Sequence, residues 1–214
     1  MRLCPASAPR KRGRKYDQVL SGARQVFMAD GFDGASVDDI ARAAGVSKAT
    51  LYAYFPDKRL LFIEVARVEC DRQSQQAMAR IDMNAPIRDV LLQAAHHMIE
   101  FFLSDFAKNV FRICVAESDR FPELGREFYE SGPMQARARL SAGFQEAAAK
   151  GQLQITDFDL AADQFAELCK ADLFARVIFG IHGDHSQPEA DRIATGAVDM
   201  FLARYGINHS TGKP

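Results

Sequence analysis

Apolar residues in this chain recur at intervals of three and four from Tyr16 to Leu202, and no stretch alternates convincingly at period two. Such spacing builds helices with one inward face and leaves no material for a sheet. Start and stop signals divide the pattern. The first helix carries Val19, Leu20, Ala23, Val26 and Phe27 and ends at Gly31. Ser36 opens the second, with Asp38 and Asp39 in its first turn, and Gly45 ends it. Ser47 caps a third helix over 48–55, and a fourth runs from about Lys58 to Ile81 without a Gly or Pro. Beyond it, helices are predicted from Pro86 to Leu103 and from an Asp105 cap through Glu117. Others follow over 123–150 with a break or kink at Gly132-Pro133, from an Asp157 cap to Phe179, and from Pro188 onward. The predicted class is all-α, about nine helices, with no internal repeat.

At 214 residues, 48% hydrophobic and 26% charged, the chain has the makeup of one large globular domain or two small ones. That excludes disordered, collagen-like and coiled-coil-only classes. No apolar run approaches membrane length, and no apolar segment follows the polar, basic first fifteen residues. A soluble cytoplasmic protein without membrane contact is expected. The cysteines, at positions 4, 70, 114 and 169, are spaced too widely for a CxxC pair, and no third ligand accompanies His96-His97 or His182 and His185. Neither a metal site nor a cofactor is expected. Cys70, Cys114 and Cys169 read as small buried hydrophobes and Cys4 as a tail thiol, with an oxidation-sensing role as the alternative.

Charge is unevenly placed. Residues 1–60 hold eleven Lys/Arg against six acids, a net +5, while the remainder carries 16 basic and 22 acidic residues, a net −6. A basic end on an acidic body suits a polyanion-binding module joined to something else. The module is legible in residues 36–58. Two short helices meet at Ala44-Gly45-Val46-Ser47, a turn that sets helices at a steep angle. Leu51 and Phe55, four apart, join Ile40, Ala44, Val46 and Phe27 in a small core, which turns Lys48 and Tyr52 outward beside Thr50 and Tyr54. A helix exposing Lys, Thr and two Tyr suits a DNA major groove: the ammonium meets phosphate or guanine, and the hydroxyls meet phosphate oxygens or base edges. Ser36 and Ser47 cap helices whose free N–H groups can also face phosphate, as can the Lys58 ammonium. A solvated helix face is the competing reading for each.

The string Phe27-x3-Gly31-Phe32-x3-Ser36-Val37-x2-Ile40-Ala41-x2-Ala44-Gly45-Val46-Ser47-Lys48-Ala49-Thr50-Leu51-Tyr52-x-Tyr54-Phe55-x2-Lys58-x2-Leu61 resembles the TetR-type bacterial transcriptional regulators. Ala49 stands where that family often has glycine, and Tyr54 where it often has histidine. The resemblance implies a homodimer whose recognition helices enter successive major grooves of a near-palindromic DNA operator. It gives a DNA-facing set of Ser36, Ser47, Lys48, Ala49, Thr50, Tyr52, Tyr54 and Lys58. It also implies a C-terminal domain that binds a small-molecule effector and dimerises through its last two long helices. The segment Glu117-Ser118-Asp119-Arg120-Phe121-Pro122-Glu123-Leu124, with Phe128-Tyr129 and Gly132-Pro133, resembles the AefR-like subgroup.

The expected organisation is a disordered basic arm (1–14), a helix-turn-helix domain (15–61), a connecting helix (58–81), a ligand-binding and dimerisation domain (82–206) and a disordered tail (207–214). The run Arg10-Lys11-Arg12-Gly13-Arg14-Lys15 either tracks a minor groove or adds non-specific charge. Helices over 86–103, 106–118, 123–150 and 157–180 carry surplus large apolar residues, so an apolar cavity for a small hydrophobic or amphipathic effector is expected among them. His97, Glu117 and Gln164 are its candidate polar anchors, and Met98, Phe102, Ile113, Phe128, Phe165 and Leu168 its candidate walls. Helices 157–180 and 188–204 have more apolar surface than one small domain covers, which predicts an isologous dimer. No P-loop, G-x-G-x-x-G, G-x-S-x-G or H-E-x-x-H occurs, so no catalytic residue is assigned and no enzymatic activity is expected. The leading expectation is a repressor released by its effector; a thiol-oxidation sensor and a helical enzyme are the alternatives.

Overall fold

The computed structural model describes residues 13–82, 84–181 and 186–207. The run Arg10 to Arg12, Cys4, His182, His185 and the tail from residue 208 lie outside those bounds. Among the described residues the chain is helical throughout and divides into two units, the first ending at Glu69 and the second starting at Cys70.

The first unit contains α1 (Arg14–Gly34), α2 (Val37–Ala44), α3 (Lys48–Tyr54) and the start of α4 (Lys58–Arg80). Arg14 and Lys15, the end of the basic run, are already helical. Gly31 interrupts α1 with φ 70°, a left-handed conformation that favours glycine, before one more turn reaches Gly34. The Ser36 hydroxyl caps α2 by accepting the Asp39 N–H, and Gly45 ends it in the left-handed region with φ 61°. The core unites Val19, Ala23 and Phe27 with Ile40, Leu51, Leu61 and Phe62, and the Phe27, Phe32 and Phe62 rings lie 5.0–6.1 Å apart. Two polar ties bind α1 to α4. Tyr16 donates its hydroxyl to Glu64 at 2.5 Å, and the Arg24 Nε donates at 2.9 Å to Glu69, whose carboxylate is only 2% exposed.

Gly22 sets how closely α1 and α2 approach. A Cβ placed there would lie 2.4 Å from the Ala44 backbone nitrogen and 2.6 Å from its Cα. No rotamer relieves a clash with backbone.

The second unit contains the rest of α4, then α5 (Ile87–Leu103), α6 (Asp105–Glu117), α7 (Pro122–Ser131), α8 (Pro133–Ala149), α9 (Phe158–Leu168), α10 (Leu173–Ile178) and α11 (Gln187–Tyr205). Its core joins Leu91, Ala95 and Ile99 of α5 to Phe144 of α8, Phe165 of α9 and Val198 and Phe201 of α11. The Phe144, Phe165 and Phe201 rings lie 4.8–5.9 Å apart, the spacing of tilted and edge-to-face pairs. An isolated antiparallel bridge, Leu153 to Gly206, ties the α8–α9 connection to the end of α11.

Among the described residues eleven helices stand where about nine were expected, because two predicted segments divide. Gly132-Pro133 splits 123–150 into α7 and α8 at the expected point. The other division falls inside 157–180, which lacks a Gly or Pro to announce it before Gly180. There Asp172 adopts φ 56° between α9 and α10. Its ψ of −46° lies outside the left-handed helical region that aspartate visits, and tertiary partners hold the broken segment. Arg176 pairs with Asp172 at 2.9 Å and Glu189 at 3.2 Å, while Arg112 of α6 donates to the terminal carbonyls of Val177 and Ile178. Another local correction concerns α6, which is capped by the Ser104 hydroxyl accepting from the Ala107 N–H. Asp105 instead lies in the first turn.

Cys114 and Cys169 are buried as expected while Cys70 is only half-buried, and desolvation pushes the two buried thiols up to about 12. At pH 8 only about one in ten thousand would then be thiolate, the form that reacts. Treating the folded protein with iodoacetamide at pH 8 and mapping the adducts by mass spectrometry is expected to leave Cys114 and Cys169 unmodified until denaturant is added. Gly22→Val is expected to cost on the order of 1–3 kcal/mol of stability in the first unit, read as a lowered denaturant midpoint.

Candidate nucleic-acid interface and interior cavity

The α3 helix is short because each end is fixed. The Ser47 hydroxyl accepts the Thr50 N–H at 3.1 Å, and the Phe55 N–H closes the other end on Leu51 O at 2.9 Å. Leu51, 1% exposed, and Phe55 anchor the helix to the core. Ser47, Lys48, Ala49 and Tyr52 face solvent, with Tyr52 49% exposed. Thr50 is half-buried, its hydroxyl 2.9 Å from that of Ser47. Lys48 forms an ion pair with Asp38 of α2. Asp39 bonds Ser36 and Arg42, interactions that hold its carboxyl below the usual range, so the exposed start of α2 carries a fixed anion paired with a cation.

Two members of the expected DNA-facing set have work inside the unit. Lys58 donates to the carbonyls of Phe32 at 2.8 Å and Ala35 at 3.0 Å, and its ammonium sits 4.3 Å over the Phe32 ring. Two of its three donors therefore hold the α1–α2 connection, unlike the free phosphate-facing ammonium expected from sequence. Tyr54 is half-buried, its ring set edge-on to Tyr16 at 5.8 Å. Its predicted outward projection is thus partial, and the exposed face of α3 narrows to Ser47, Lys48, Ala49 and Tyr52, with Ala53 beside them.

The second unit encloses a cavity of about 160 Å³, mainly apolar and partly open, between the end of α4, α5 and α8. Ile87, Val90, Leu91 and Ala94 form one wall, Leu140, Gly143 and Phe144 another, and Ser74 of α4 with Ile81 just past its end a third. Of the candidate effector-site residues, His97 and Met98 line it. The remaining candidates do not. Gln164 is exposed and accepts the Tyr205 hydroxyl at 2.6 Å. Phe165 is fully buried in the aromatic core and Leu168 packs against it. Phe102 meets Phe174 at 5.8 Å, and Phe128 meets Phe111 at 6.2 Å, in a separate aromatic group. Ile113 and Glu117 are half-buried on α6, which contributes nothing to the cavity wall. Periodicity marked inward faces correctly but could not tell a filled interface from an empty one. Sequence reasoning missed Arg139, Gly143 and Ser74. Only Gly143 carried a signal, a glycine inside a helical pattern.

Among the described residues no helix is long and apolar enough to cross a membrane, and no group of three His, Cys, Asp or Glu could hold a metal ion.

Comparison with known proteins places this geometry. Residues 19–65 match the family of bacterial regulatory proteins, tetR family, and residues 89–207 match the AefR-like transcriptional repressor, C-terminal domain. A TetR-family transcriptional regulator from Mesorhizobium loti MAFF303099 is 30% identical, with a TM-score of 0.78 over 91% of this chain and 98% of its own. The flavonoid-responsive regulator FrrA is 36% identical, with a TM-score of 0.72 over 92% and 100%. The transcriptional regulator YdeS of Bacillus subtilis (strain 168) is 28% identical over 157 residues, 68% of this chain and 75% of its own. Helix-turn-helix unit and helical C-terminal unit are matched together, and the chain belongs to the TetR family as a DNA-binding transcriptional regulator with an AefR-like C-terminal domain.

Proposed function

We propose that this regulator is a repressor that binds a near-palindromic operator as a homodimer and leaves it when a small hydrophobic or amphipathic effector enters the second unit. The observation carrying the DNA half is the division of α3: Leu51 and Phe55 buried, Ser47, Lys48, Ala49 and Tyr52 exposed on a capped seven-residue helix. Lys48 and Tyr52 reach the groove; Ser36 and Ser47 offer their helix N-termini to phosphate. Lys58 and Tyr54 act one step back, by positioning α3 and the α1–α2 connection.

The effector half is supported by the cavity. Its 160 Å³ suits a single ring or a short chain before any widening, and FrrA, a relative, is described as flavonoid-responsive. An effector that binds better to the conformer mis-spaced for DNA depletes the operator-binding state. Control by oxidation of Cys114 or Cys169 is disfavoured by their burial.

The dimer is supported by the outer face of α11. Met200 is 64% exposed, with Gly196 and Ala203 exposed one turn either side, and exposed Leu160 on α9 adds a further apolar group. Small residues around a large one give a flat apolar strip suited to its own symmetry copy. The pairing helices are α9 and α11 rather than two long ones, since 157–180 is divided.

Tyr52→Ala is expected to lose on the order of 1–3 kcal/mol of affinity for duplexes selected by the protein from a random pool, with an unchanged melting temperature. Leu51→Ala is expected to destabilise the fold by on the order of 2–5 kcal/mol instead. Light scattering is expected to give twice the monomer mass for the parent and the monomer mass for Met200→Glu; a monomeric parent contradicts the dimer.

A further inference from the structure

Arg139 of α8 lines the cavity, yet its guanidinium is turned to Asp71 of α4, with Nη2 2.7 Å from Oδ1. Asp71 lies one turn before Ser74, the α4 residue that forms part of the cavity wall. Both partners are about one-third exposed, and ion pairs that accessible contribute little to stability. The pair can be given up cheaply. Lys150 adds a second cation to the lining, and Glu146 is the one acid there. Gly143, on the same helix, has no atom within 4 Å of where a Cβ would stand, so that wall is kept open by the absence of a side chain.

We propose that the effector is an amphipathic organic acid whose carboxylate replaces Asp71 as the partner of Arg139 while its apolar body fills the cavity. Resting on the effector reading above, this adds a ligand class and a release step. Arg139 suits the task because a planar, permanently charged guanidinium can take one carboxylate in place of another without changing charge. The apolar walls reward a body that Asp71 lacks, so exchange proceeds in the ligand's favour. Once exchanged, α4 loses its ion-pair tie to α8, and α4 is the helix that continues from Lys58 in the DNA-binding unit. Ligand arrival and loosening of α4 become one event.

The test measures calorimetric affinities of the full-length protein for three acid–alcohol pairs: hexanoate and hexanol, octanoate and octanol, 3-phenylpropanoate and 3-phenylpropanol. At least one acid is expected to bind tenfold more tightly than its alcohol and to release selected operator duplex. Asp71→Asn, which removes the competing carboxylate, is expected to raise acid affinity severalfold and leave alcohol affinity unchanged. Arg139→Met is expected to erase the acid preference while alcohol binding persists. No acid bound in preference to its alcohol, a preference surviving Arg139→Met, or Asp71→Asn weakening the acid would each overturn the proposal. Gly143→Leu separates the two levels. It fills the cavity without a helix penalty, and if acids still bind that variant and still release DNA, the cavity is not the effector site at all. Acids excluded by Gly143→Leu but indifferent to Arg139 leave the effector cavity standing and sink the exchange.

Discussion

The backbone-to-backbone approach of α1 and α2 is the constraint on which the first unit depends. With Gly22 pressed on Ala44, α2 has one depth at which it can lie, and the three-residue link to α3 then has one direction to leave. Leu51 and Phe55 confirm that direction by burial, and the exposed edge of α3 follows from theirs. Lys58 works to the same end from the far side. Its ammonium replaces water for two carbonyls that no helix satisfies, at the point where α1 hands over to α2. The exposed edge of α3 is therefore a product of interior contacts, most made by buried residues.

The second unit solves a different problem: remaining stable while leaving a hole. Its large aromatic residues are spent in two groups. Phe144, Phe165 and Phe201 close the α8–α9–α11 interface, and Phe102, Phe111, Phe128 and Phe174 meet around α5, α6, α7 and α10. Beside Phe144, what is left for the α4–α5–α8 interface is mainly aliphatic and small, with Gly143 among it. The void lies where few aromatic rings remain. A cavity can be tolerated there because neighbouring interfaces are packed with ring-to-ring contacts that do not depend on it.

Helix type, order and the caps at Ser36, Ser47 and Asp157 were legible in the sequence because each is a local effect, settled within a turn by hydrogen bonding and periodicity. The short capped α3 was legible for the same reason, together with the motif it resembles. Three things were not. Lys58 looked like a free cation because its acceptors lie on a segment 23–26 residues away. The break at Asp172 was hidden because no helix breaker marks it, and its partners come from α10 and α11. The cavity walls were misplaced toward Gln164 and Phe165 because an apolar face at helical spacing looks the same whether another side chain or nothing stands opposite. All three are long-range facts.

The Arg24–Glu69 tie has a consequence for the helix that carries it. Glu64, five residues before Glu69, is likewise clasped from α1, by Tyr16. Five residues of helix rise by roughly 7.5 Å, so α1 grips the start of α4 at two heights rather than one. A single clasp would let one helix pivot on the other. Two make the joint behave like a splint.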